Sequence, residues 1–135
     1  MHPLAKKCAA AALLAVVAAA GIAQAPAITR TVVARADVSV PGREAVAARV
    51  EVAAGGQSGW HTHPGDEISV VNEGEAVLMV AGQPPRKVVA GEGFIIPAGT
   101  PHNAKNESAA PVKLVGVYIV EKGKPLASPA SAPGQ

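Results

Sequence analysis

Three histidines and one glutamate supply most of the metal-binding chemistry that this sequence offers. His61 and His63 are two residues apart, and Glu67 follows after a short Pro-Gly-Asp stretch at residues 64–66. Side chains two apart on an extended strand point to the same face, and a turn at residues 64–65 would bring the carboxylate back towards both imidazoles. Imidazole and carboxylate are donors for borderline divalent metals. Taken alone, the histidine pair favours a simpler interpretation, two surface histidines on an ordinary strand.

His102 favours the metal-binding interpretation over the surface strand. It is the only other histidine beyond the first few residues, and it follows a stretch rich in glycine and proline at residues 91–101. A tight loop of this kind can present one side chain rigidly.

The two stretches resemble the paired motifs of the cupin superfamily. The first motif has the form G, five residues, H-x-H, three or four residues, E, six residues, G. The second has the form G, five residues, P-x-G, two residues, H, three residues, N. The matching positions are Gly55, His61, His63, Glu67 and Gly74 for the first motif, and Gly91, Pro97, Gly99, His102 and Asn106 for the second.

The resemblance implies a single jelly-roll β-barrel that binds one divalent transition metal. It assigns the ligand roles to His61, His63, Glu67 and His102, and it leaves Asn106 to hold its loop. The ligand list does not distinguish Fe, Mn, Zn, Cu, Ni and Co. A six-coordinate ion would keep two positions for water or substrate, whereas a tetrahedral zinc site would be nearly closed.

Two classes of function are compatible with this site. The first is a metal-dependent oxidoreductase of the dioxygenase kind, acting on a small organic molecule through the open metal positions. The alternative is a non-catalytic module of the cell envelope that binds a metal or small ligand, favoured by the lack of a second convincing acid or base. Sugar isomerase or lyase chemistry is disfavoured by the scarcity of aromatic residues, which make up 2% of the chain. No catalytic residue is assigned.

Residues near the motifs have simpler expected roles. Trp60 alternates with His61 and is expected to pack on the opposite face. Tyr118 is expected to line the core or the barrel. Gln57 and Ser58 lie in a loop and are expected to be solvated.

Short β-branched or alternating segments separated by glycine and proline turns predict an all-β protein. The predicted strands span residues 28–40, 44–52, 67–71, 76–80, 86–89, 94–96 and 112–120. The turn at residues 72–75 predicts a hairpin between its two flanking strands. The first strand, charged at Arg30, Arg35 and Asp37, is expected to be an edge strand that contributes to a homodimer.

The first 25 residues have the pattern of an export signal. Lys6 and Lys7 precede an uncharged apolar stretch at residues 9–22, and small residues follow it. Cleavage is expected after Ala25 or after Ala27, which would give a periplasmic or secreted protein without stable membrane insertion; an uncleaved membrane anchor is the alternative. The barrel is expected over residues 28–121, and residues 122–135 are expected to form a flexible tail.

Charge gives no reason to expect a nucleic-acid partner. Lys6 and Lys7 would leave with the signal, so the mature chain would carry ten basic and ten acidic residues without a basic run. A small-molecule ligand or substrate is the expected partner.

Overall fold

Residues 27–134 form two antiparallel sheets of five strands each in the computed structural model. The strands are β1 (Ile28–Asp37), β2 (Arg43–Val52), β3 (His61–Thr62), β4 (Gly65–Glu73), β5 (Glu75–Val80), β6 (Arg86–Val89), β7 (Gly93–Ile96), β8 (His102–Lys105), β9 (Val112–Glu121) and β10 (Ser128–Pro129). This confirms the predicted all-β class. None of these residues lies in a helix that is long and apolar enough to cross a membrane.

The core lies between the two sheets. The first sheet has the order β1-β2-β9-β4-β7 and the second β10-β3-β8-β5-β6, so β1 is an edge strand as predicted. Inward and outward residues alternate along β4 and β9, as the period-two pattern of these strands requires. Because aromatic residues are scarce, small aliphatic side chains fill most of the core, with Phe94 and Tyr118 as its two buried aromatics among the described residues.

The predicted hairpin around residues 72–75 is wrong. Strands β4 and β5 are consecutive, but β4 pairs with β7 and β9 while β5 pairs with β6 and β8. The chain crosses between sheets at Gly74, which has a φ of 80°. A Cβ there would lie 2.8 Å from the Pro111 carbonyl oxygen, so the crossing requires glycine for both conformation and space.

Part of the predicted flexible tail packs on the barrel instead. Ser128 and Pro129 pair with β3, and the Ala130 N–H donates to the Trp60 carbonyl oxygen at 3.0 Å. Leu126 packs against a core cluster that includes Tyr118. This segment forms the edge strand of the second sheet through backbone hydrogen bonds. Pairing of this kind cannot be predicted from the alternation of apolar residues.

The export signal and the homodimer both stay predictions. The export signal falls within residues 1–26, outside the described residues, so its cleavage and the location of the protein stay predictions with it. Two apolar surfaces bear on the homodimer. The outer face of the first sheet exposes Ile68 and Val70 of β4 beside Ile95 of β7, and β1 exposes Val32 and Val33.

Candidate metal centre

Both sheets contribute to the cluster of histidines and glutamate. His61 of β3 lies directly opposite His102 of β8, with ring centroids 4.2 Å apart. His63 follows β3, and Glu67 comes from β4 in the other sheet. One donor atom from each of the four residues lies within 4.8 Å of the others. The structure therefore brings together all four residues that the motifs single out.

Each imidazole donates its Nδ1 proton to a backbone carbonyl oxygen. The acceptors are Gly59 for His61 at 2.8 Å, Leu126 for His63 at 2.6 Å, and Thr100 for His102 at 2.9 Å. A proton on Nδ1 leaves the lone pair of a neutral ring on Nε2. The three backbone contacts thus fix both the tautomer and the ring orientation, an arrangement that is usual for metal-binding histidines.

Glu67 directs one carboxylate oxygen towards the imidazoles. Its Oε1 accepts a hydrogen bond from the Ser69 hydroxyl at 2.6 Å. Its Oε2 lies 3.0 Å from Nε2 of both His63 and His102. Burial alone would raise the pKa of the Glu67 carboxyl, but the neighbouring imidazoles and the Ser69 hydroxyl hold it well below its usual value. This residue is therefore a carboxylate at neutral pH.

The donors in this cluster fit a cation. Burial, with smaller contributions from the neighbouring imidazoles and Arg30, lowers the pKa of His61 to about 4 despite the opposing contact with Gly59. His63 Nε2 is the one buried side-chain polar atom without a hydrogen-bond partner among residues 27–134. Nε2 of His63 and Nε2 of His102 both face Glu67 Oε2 at 3.0 Å, so protons or a metal ion must lie between these nitrogens and the carboxylate. A divalent metal would use all four donors at once, so the residues present fit the expected ion.

Tyr118 forms one wall of the centre. Its ring centroid lies 4.7 Å from that of His63, and the residue is buried, as predicted for a lining residue. Burial and the nearby Glu67 carboxylate raise the pKa of its hydroxyl, so it remains protonated at neutral pH. Gly116 makes room for this hydroxyl, because a Cβ there would lie 2.7 Å from the phenolic oxygen.

Asn106 holds its loop, as predicted. Its amide nitrogen donates to the carbonyl oxygens of Val52 and Ala110, and its Oδ1 accepts from Ser108. The side chain is fully buried, and its polar atoms are used in these contacts and not in binding a metal.

The expectation that Ser58 is solvated is wrong. Its hydroxyl contacts the buried Asn103 amide oxygen at 3.1 Å and accepts the Ala104 N–H at 2.9 Å. Gln57, which is exposed as predicted, accepts a hydrogen bond from the Asn103 amide nitrogen at 2.9 Å. This network secures the residue next to His102.

Two parts of the site were missed from the sequence. The Leu126 carbonyl oxygen lies in the predicted tail, and a backbone acceptor leaves no side-chain signal. Arg30 was interpreted as an edge-strand charge, although its alternation with Ile28 was a signal that both residues face the barrel.

Removing residues 122–135 should weaken divalent metal binding roughly 10- to 100-fold, the usual effect of losing a partner that orients a ligand. The truncation takes away the carbonyl acceptor of His63 and the β10 pairing with β3. Metal titration of the purified protein measures the effect. A shorter truncation of residues 131–135 keeps both contacts and serves as the control. Equal affinities for the two truncated proteins would contradict the role of Leu126.

The fold and this cluster define a class of protein, a jelly-roll barrel with three imidazoles and one carboxylate in its interior. The "Cupin domain" family model matches residues 48–120, which is more than half of the chain. The chain therefore belongs to the cupin family.

Sequence similarity to characterised proteins covers parts of the chain. A match to the HTH-type transcriptional regulator PuuR of Escherichia coli (strain K12) is 39% identical over 56 residues, covering 42% of this chain and 30% of PuuR. A match to the dimethylsulfoniopropionate lyase DddQ of Ruegeria pomeroyi is 40% identical over 43 residues, covering 32% of this chain and 21% of DddQ. The chain thus spans less than a third of the length of either relative.

Solved structures also share the fold of this chain. The crystal structure of DddQ from Ruegeria pomeroyi matches with a TM-score of 0.59 at 25% identity, covering 67% of this chain and 45% of that chain. Oxalate oxidase in complex with the substrate analogue glycolate matches with a TM-score of 0.55 at 29% identity, covering 62% of this chain and 45% of that chain.

Proposed function

We propose that this protein is a metal-dependent cupin oxidoreductase that acts on a small organic molecule outside the cytoplasm. The observation that carries the proposal is the convergence of His61, His63, Glu67 and His102, each oriented by a further hydrogen bond. A divalent metal held by these residues would supply Lewis acidity, or electron transfer to O2 if it is redox-active. The similarity to oxalate oxidase supports the oxidoreductase class.

The chain's own residues would provide orientation and shielding. The three backbone carbonyls hold the imidazoles with Nε2 inward, and Ser69 holds the Glu67 carboxylate. His63 and His102 are each 3% exposed, so bulk water has little access to this side of the cluster. The protonated Tyr118 hydroxyl offers a hydrogen-bond donor beside the imidazoles.

Elemental analysis of the purified protein, followed by O2-uptake assays, tests this function. We expect iron or manganese near one equivalent, and O2 consumption with a panel of small hydroxy acids and dicarboxylates. The His102→Ala variant is the control and should retain less metal than wild type and show little O2 uptake. Substrate breakdown without O2 uptake would replace the oxidoreductase with a lyase, the class that the similarity to DddQ supports.

The second candidate is a non-catalytic module that binds a metal or small ligand. Among residues 27–134, the cluster contains no second carboxylate or other strong base, which favours this candidate. The match to a transcriptional regulator favours it as well. Tightly bound zinc or copper with no turnover across the substrate panel would favour this candidate.

A further inference from the structure

Arg30 differs from the other charged residues of β1. Arg35 pairs with Glu44 at 3.0 Å, and Asp37 pairs with Lys122 at 2.6 Å. Among residues 27–134, Arg30 makes no ion pair with a carboxylate. It is half-buried on the same face of β1 as Ile28, which packs against the core. Its positive charge therefore faces the barrel without a counter-charge from an ion pair.

The Arg30 side chain lies over Tyr118. Its Nε donates to the Tyr118 hydroxyl oxygen at 3.4 Å, and its guanidinium carbon lies 5.7 Å from the ring centroid. The Tyr118 ring in turn contacts the His63 ring. This contact uses one guanidinium nitrogen, and neither terminal nitrogen has a hydrogen-bond partner among residues 27–134. The Tyr118 O–H proton has no acceptor in the part of the chain described.

One small cavity joins this pair to two of the four candidate metal ligands. Arg30 and Tyr118 line it together with Glu67, His102, Ser58 and apolar residues, and its volume is about 20 Å³. That volume holds about one water molecule. A ligand here would have to be small, and Arg30 would shift as the ligand enters. Strand β1 can allow such a shift because it pairs on one side only.

We propose that Arg30 and Tyr118 form a subsite that binds the carboxylate group of a small ligand beside the metal centre. The planar guanidinium fork matches the two oxygens of a carboxylate, and the apolar walls strengthen the attraction by excluding water. This proposal rests on the proposed function. It identifies the substrate class as a small carboxylic acid whose other end reaches the metal ligands. The competing interpretation is that Arg30 only packs on Tyr118.

Calorimetric titration of the Co²⁺-loaded full-length protein with glycolate tests the subsite. Arg30→Gln should weaken glycolate binding roughly 10- to 100-fold, as expected for the loss of a charged hydrogen-bonding partner. Arg30→Lys should give an intermediate loss, because a lysine keeps the charge but loses the planar fork. Tyr118→Phe should weaken binding less than Arg30→Gln, because it removes a neutral donor.

The matched control is Arg35→Gln, which removes a charge from the same strand at a residue that already pairs with Glu44. It should leave glycolate affinity unchanged. Glycolamide, the neutral counterpart of glycolate, should bind at least roughly 10-fold more weakly to the wild-type protein. Co²⁺ affinity, measured separately, should be the same for wild type and both Arg→Gln variants.

Three results would overturn the subsite. They are an absence of glycolate binding to the wild type, a glycolate affinity in Arg30→Gln within about twofold of wild type, and equal affinities for glycolate and glycolamide. In each case normal Co²⁺ binding would leave the proposed metal centre intact. Failure of the wild-type protein to bind Co²⁺ would instead overturn the metal centre, and the subsite with it.

Discussion

His102→Ala is expected to weaken divalent metal binding by on the order of 100-fold. Structural four-ligand zinc sites in zinc-finger peptides bind with roughly 10–16 kcal/mol, and by that scale one lost donor of four removes about 3 kcal/mol. His102 contributes the only ligand from the second motif, and its ring is held towards Glu67 by the Thr100 carbonyl oxygen. Metal titration measures the loss, and a far-UV circular dichroism spectrum like that of wild type shows that the barrel remains folded.

The control for this experiment is Trp60→Phe, which changes the residue next to His61 and leaves all four ligands in place. Its stoichiometry and affinity should match those of wild type. Wild-type affinity in His102→Ala would show that the two motifs do not share one metal.

Gly65→Ala is expected to lower the free energy of unfolding by at least roughly 3 kcal/mol, a large effect for one added methyl group. Gly65 is buried where β4 pairs with β9, opposite Val120. A Cβ at this position would meet the Ile119 carbonyl oxygen at 1.9 Å and the Val120 Cα at 2.6 Å. Both atoms are backbone, so relief requires the strands to separate. Urea unfolding measures the change.

The comparison for this variant is Gly42→Ala. Gly42 has a φ of 75°, and no atom lies within 4 Å of the place that a Cβ would take, so only its backbone conformation resists substitution. That penalty is roughly 1–2 kcal/mol. Equal destabilisation by the two substitutions would mean that the close approach of β4 and β9 is relieved easily.

The strands could be predicted because they depend on local patterns, and the clustering of the four candidate ligands because the two motifs resemble those of the cupin superfamily. Alternation of apolar residues indicates which strand face is buried, and the spacing of His61 and His63 places both rings on one side. His102 follows a constrained loop that can be recognised in the sequence from its glycine and proline residues.

The path of the chain between sheets could not be predicted in the same way. A glycine with positive φ is required at Gly74 whether the chain reverses within one sheet or crosses to the other. Which of the two paths the chain takes depends on the distant pairing of β4 with β9 and of β5 with β8. No residue in the turn indicates that pairing.

The contacts of Leu126 and Arg30 also depend on distant partners. Leu126 orients His63 through a carbonyl oxygen that every residue type possesses. Among residues 27–134, Arg30 lacks the carboxylate partner that Arg35 has, and this difference becomes visible only when the strands are paired.

The three backbone acceptors also affect how this site can change over evolutionary time. The carbonyl oxygens at Gly59, Thr100 and Leu126 survive almost any substitution that preserves the backbone path, although Gly59, with a φ of 75°, favours glycine. Selection on the metal centre would therefore act on four side chains and on loop geometry. Neighbouring loop residues would be free to vary, and substrate preference could diverge without disturbing the orientation of the ligands.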